Sequence, residues 1–155
     1  MKKLLSPVSF SEISQTTIKQ ASFIVNQLNA NLELLHCYPI QEYNRAFHFD
    51  NPDYESGIKQ KLIDFTKSCI SEVDEQKIKF IAFPGAVSEV ISRISQEYDL
   101  LVLSRKIGFE SQKNHWLSDK LFYIISKSLT QVLILTPNRN TFTFKNVKEI
   151  WHINR

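Results

Sequence analysis

Glycine is scarce in this chain: three residues in 155. Turns must therefore rest on proline, asparagine, serine and helix caps. No P-loop lysine motif and no G-x-S-x-G elbow is present, and nothing pairs a nucleophile with a base, so no catalytic residues and no enzyme activity are expected. There are two cysteines, Cys37 and Cys69, and they form no C-x-x-C pair. Both read as reduced, packed thiols of a cytosolic protein. Metal-ligand spacing is lacking too: His36 and Cys37 are strand neighbours that point to opposite faces, and His48 and His115 lie in separate loops. No run approaches the roughly 18 apolar residues of a membrane helix. The opening MKKLLSP has only two leucines before Ser-Pro, which is not the pattern of a signal peptide. A net charge of +3 without a basic cluster argues against nucleic acid as a partner.

What is present is an alternation. The length suits one domain that can bury a core without disulfides or metals. Residues 3–8 (KLLSPV) read as a first strand. Ser9 and Glu12 then match the S-x-x-E pattern of a capping box. Ile18, Ala21, Val25 and Leu28 give helix one a stripe. NLELLHC (31–37) is a second strand, and Ile58, Leu62, Phe65, Cys69 and Val73 mark a second helix. KIKFIAF (77–83) closes at Pro84-Gly85. Val87, Val90, Ile91 and Ile94 mark helix three, DLLVLS (99–104) strand four, Leu117, Leu121, Ile124 and Ser128 helix four, and QVLILTP (131–137) strand five. Strands as continuous apolar runs, alternating with helices, predict an α/β fold with a parallel sheet covered on both faces.

The residues carry a resemblance. KKLLSPVSFSE resembles the opening of the universal stress protein family, whose first strand runs into V-D-x-S or V-D-F-S-E. LELLHCYP resembles its second strand, DLLVLSRK its D-L-I-V-M-G-S segment, and QVLILTP the strand that closes the domain. The likeness spans about residues 2–137, in order and spacing, and identifies a UspA-like domain over residues 1–137. It implies a five-stranded parallel sheet in the order 3-2-1-4-5 with helices on both faces, Rossmann-like and adenine nucleotide alpha hydrolase-like. Ligands of such sheets sit where the order reverses, beyond the carboxyl ends of the strands. The loops after Val8 and after Leu103 should meet there.

In the nucleotide-binding branch of that family, strand four leads into G-x2-G-x9-G-[ST]. Counted from Ser104, those positions fall on Ser104, Ile107, Leu117 and Ser118: the spacing survives, the three glycines do not, and Gly108 sits one place late. Glycines there let the backbone approach phosphate oxygens. The aspartate expected after Pro7-Val8 is Ser9, uncharged and shorter, which would still serve as a helix cap. The resemblance thus implies a degenerate nucleotide site with no cofactor, ATP or AMP being the alternative ligands. The candidate ligand-binding residues are Pro7, Ser9, Cys37, Ser104, Arg105, Lys106, Gly108 and Ser118. Arg105, Lys106 and Lys113 could hold an anion by side-chain charge, or simply face solvent.

Two further segments need an account. Residues 38–54, with Tyr38, Tyr43, Phe47, His48, Phe49 and Tyr54, read as a lid, a partner surface, or a loop folded onto helix two. Residues 138–155 form a linker and strand-like tail. KNVKEIWHINR resembles the restart of a second domain in tandem members of the family. The expected partner is a second copy or a second universal stress domain, because an extra exposed strand needs covering.

Overall fold

The computed structural model describes residues 2–40, 54–71, 74, 76–104 and 119–135. Among these residues five strands and four helices alternate: β1 (Lys3–Pro7), α1 (Glu12–Leu28), β2 (Asn31–Tyr38), α2 (Tyr54–Cys69), β3 (Ile78–Pro84), α3 (Val87–Ile94), β4 (Leu100–Ser104), α4 (Asp119–Lys127) and β5 (Gln131–Leu135), with a 3₁₀ turn at Ser95–Glu97. The strands form one sheet in the order β3-β2-β1-β4-β5, and every pairing is parallel. The order reverses between β1 and β4, as the resemblance implied.

Strand alternation sorts the apolar residues into two cores. Leu4, Leu32, Leu34, Leu100 and Val102 point to one face, where Ile18, Ala21, Ile24 and Val25 of α1 and Leu62 of α2 cover them. Leu5, Leu35, Leu101 and Leu103 point to the other, under Val90 and Ile91 of α3 and Leu121 and Ile124 of α4. Each fully buried leucine or isoleucine contributes about 2–3 kcal/mol by leaving water. A smaller cluster of Tyr38, Ile58 and Ala82, with Tyr54 against it, closes the carboxyl end of β2 and β3. There the rings of Tyr38 and Tyr54 meet edge to face at 5.4 Å. The rest of the aromatic segment, 41–53, and the tail beyond Leu135 lie outside the described residues.

Local signals fix the turns. α1 ends at Asn29 in the left-handed conformation (φ 47°). Gly85 takes φ +123°, a value glycine alone adopts without strain, and its N–H donates to the Tyr38 carbonyl at 2.8 Å, closing the turn after β3. The start of α1 differs from the sequence reading. The N-cap is Ser11, whose hydroxyl accepts from the Ser14 N–H at 3.4 Å. Ser9 lies two residues too early to cap, so Ser9 and Glu12 do not form the expected capping box.

Candidate functional site

The candidate crevice lies past the carboxyl ends of β1 and β4. Pro7 is the last residue of β1 and Ser104 the last of β4, both buried. One turn below, the buried Ser6 hydroxyl donates to the Val102 carbonyl at 2.9 Å and ties the two strands together. The chain stays with β2 for one residue beyond Pro7: the Val8 N–H donates to the Leu35 carbonyl at 2.8 Å. The Val8 carbonyl lies 3.0 Å from His36 Nδ1. A carbonyl only accepts, so this bond places a proton on Nδ1.

Ser9 is held inside the start of α1 instead of standing free in the crevice. Its hydroxyl shares hydrogen bonds with Ser11 Oγ at 2.9 Å and Ser14 Oγ at 3.0 Å. Its N–H donates to Ser14 Oγ at 2.8 Å. Three hydroxyls therefore satisfy one another and the first turn of the helix, with no charge at this point. Beside them, Phe10 packs on His36 with ring centroids 4.5 Å apart and meets Phe65 edge to face at 5.6 Å, yet stays 44% exposed.

Cys37 does not touch the Phe10–His36 pair. It lies on the opposite face from His36, packed against the core under α3, which is why the two cannot share one metal. Burial pushes its thiol up from 9.0 to about 12, so it is neutral and inert at ordinary pH. Cys69 donates Sγ–H to the Phe65 carbonyl at 3.0 Å, and both thiols are free. Arg105, Lys106, Gly108 and Ser118 lie outside the described residues, as do Ile107 and Leu117. Of the sequence candidates, Pro7, Ser9, Cys37 and Ser104 all lie at the carboxyl end of the sheet, with Cys37 on the face of Leu5 and Leu35. Among the described residues, no cluster of three or more His, Cys, Asp or Glu suits a metal ion, and no helix is long and apolar enough to cross a membrane.

Sequence reasoning missed two features. His36 and Phe10 stack on one another beside the start of α1; L-H-C was read as the end of the family's second strand and for its metal potential, not for a ring contact. At the other end of the sheet, the Tyr98 hydroxyl donates to Glu33. Burial first, then this bond and the Glu33 and Glu97 charges, hold the phenol well above its usual range. The clue was Glu33 itself, a carboxylate inside the apolar run NLELLHC, which demands a partner.

No family model matches the chain, and no curated protein matches it. Solved structures do. Hypothetical protein MJ0577, the subject of a structure-based assignment of biochemical function, is 24% identical, with TM-score 0.67, covering 90% of this chain and 98% of that one. Universal stress protein UspA from Lactobacillus plantarum is 16% identical, with TM-score 0.64, covering 86% and 97%. A universal stress protein in complex with cAMP is 19% identical, with TM-score 0.61, covering 88% and 97%. The chain has the universal stress protein fold, a UspA-like α/β domain.

Proposed function

We propose that this domain acts in stress-response regulation by associating with another chain, and that its crevice does not take up ATP in the manner of nucleotide-binding universal stress proteins. The observation that carries the reading is Ser9. At the position of the expected aspartate stands a neutral hydroxyl already bound to Ser11 and Ser14. A carboxylate there could accept hydrogen bonds from a nucleoside; a hydroxyl already shared with two neighbouring serines offers much less. The replacement of the three motif glycines by Ser104, Ile107 and Leu117 points the same way. No catalytic step follows from these residues.

The partner in this reading is a second copy or a second universal stress domain, met along β5. Among the described residues β5 pairs with β4 alone, and Phe122 on the neighbouring α4 is 66% exposed. Such an edge invites another chain. Light scattering should give a mass above that of one chain for the full protein and a lower one for Phe122→Ser. The same comparison with residues 138–155 removed asks whether the tail contributes. Equal monomer masses for all three would end the association reading.

The alternative is a sensor of ATP, AMP or another anion, held by Arg105, Lys106 and Ser118. The likeness to a universal stress protein complexed with cAMP favours it. Thermal denaturation with ATP, AMP and cAMP separates the two. A ligand at about 100 times its Kd stabilises the native state by about 2.7 kcal/mol, which is easily seen as a higher melting temperature. The expected result is no concentration-dependent rise; a saturable one overturns the ATP-free reading.

A further inference from the structure

β3 is an outer strand of the sheet, and its two faces differ. On one face α2 covers it, while on the other α3 lies over β2. The β3 residues on the α3 side are Lys79, Ile81 and Phe83, set by the two-residue period of the strand. Lys79 is exposed. Ile81 and Phe83 touch the core under α3 yet stay partly in water. Successive positions on one face of a strand lie about 6.6 Å apart, so the three side chains form a shelf about 13 Å long.

Both ends of the shelf are cationic. Lys79 stands at one end. At the other, the Arg93 guanidinium of α3 sits 5.0 Å above the centre of the Phe83 ring. Such a ring contact holds a guanidinium in place and leaves N–H groups for an acceptor. Among the described residues, neither Lys79 nor Arg93 forms an ion pair. The nearby carboxylates do not neutralise them. Glu33 is the partner of Lys79 in the β2–β3 ladder, but it accepts the Tyr98 hydroxyl. Glu89 precedes Arg93 by one helical turn, yet the guanidinium lies over the ring.

An occupant of this shelf must bring negative charge to both ends and an apolar group to the middle. A second copy of this strand fails, because it sets a lysine against a lysine. An extended chain with acidic residues at positions i and i+4 meets the demand. Those two side chains lie on one side about 13 Å apart, with the i+2 side chain between them over Ile81. A carboxylate also suits the arginine fork, which can bind its two oxygens together. Covering Ile81 and the free part of Phe83 adds an apolar contribution.

We propose that the α3 side of β3 is a docking surface for an acidic, extended peptide segment of another protein: one carboxylate on Lys79, one on Arg93, and an aliphatic side chain on Ile81. The surface lies at the border of the sheet away from β5. It does not depend on the readings given for the crevice or for association along β5.

The test uses the full ¹⁵N-labelled chain and the peptide E-S-L-S-E, acetylated and amidated at its ends. The Lys79, Ile81, Phe83 and Arg93 amides should shift saturably, with a Kd of about millimolar. The uncharged peptide Q-S-L-S-Q should bind about ten-fold more weakly. Lys79→Gln and Arg93→Gln should each weaken the acidic peptide about two- to five-fold. Both side chains are exposed, and the spectra report folding of each variant directly. Glu89→Gln removes a competing negative charge and should tighten binding. Raising the salt to about 1 M should weaken it. No saturable shift with the acidic peptide overturns the proposal. So does equal binding by Q-S-L-S-Q or by K-S-L-S-K, or shifts confined to other elements. Tighter binding of a single-stranded oligonucleotide at the same amides also overturns it, in favour of nucleic acid.

Discussion

Cys37 provides a quantitative check on where the crevice ends. With its thiol raised from 9.0 to about 12, the thiolate fraction near neutral pH falls about a thousand-fold. A more basic thiolate is also a better nucleophile. With a Brønsted slope of about 0.4–0.5, that returns about 15- to 30-fold. The net expectation is reaction with an aromatic disulfide about 30- to 60-fold slower than in the unfolded chain, before any loss from restricted access. A Cys69→Ser background isolates the signal, and its hydroxyl can still donate to the Phe65 carbonyl. The rate at pH 8 is then compared without and with denaturing urea. The same shift has a stability consequence. Because the folded pKa lies above the unfolded one, the native state binds the extra proton. The contribution is whole below pH 9.0 and is lost as pH rises through about 12, at up to about 1.4 kcal/mol per unit. Cys37→Ala should flatten that decline. A native rate within about three-fold of the unfolded rate would refute the reasoning and return Cys37 to the ligand crevice.

Other outcomes are expected. Ser11→Ala should destabilise the domain by about 1 kcal/mol in urea denaturation, more than Ser9→Ala; the reverse ranking would restore Ser9 as the cap. Tyr98→Phe and Glu33→Gln should each destabilise, with a coupling of about 1 kcal/mol in a double-mutant cycle, reduced from the buried value because both groups are part-exposed. Strict additivity would show the pair contributes nothing. Gly85→Ala should lower the urea midpoint by the equivalent of about 1–3 kcal/mol, through its φ of +123° and not through crowding, since an added Cβ would sit 3.4 Å from Val90. An unchanged midpoint would mean that the turn after β3 relaxes freely.

The strands were legible because each is a short apolar run bounded by turn residues, and all five were found within a residue or two over the described range. Their order was not in the runs themselves; any permutation of five buried parallel strands reads alike, and the order came from the likeness of the ordered motifs. Ser9 and Ser11 illustrate a local limit. Both are serines near a helix start, and only the backbone at Ser11 (φ −112°, ψ 163°) determines which one caps. Pro7 and Ser104 were legible because they end adjacent strands, and Ser9 because it follows the first of them. The shelf on β3 was not, because Arg93 of α3 reaches Phe83 only through the fold, and no local spacing joins it to Lys79.

The two outer strands of the sheet are unlike. β3 presents exposed Lys79 along its length and ends in Pro84, which has no N–H to offer. β5, Gln131–Leu135, carries neither lysine nor proline. If copies meet through β5, each has spent its one adhesive border, and both β3 borders face outward and repel further growth. Assembly by that route stops at two, and the same asymmetry that permits a pair forbids a filament.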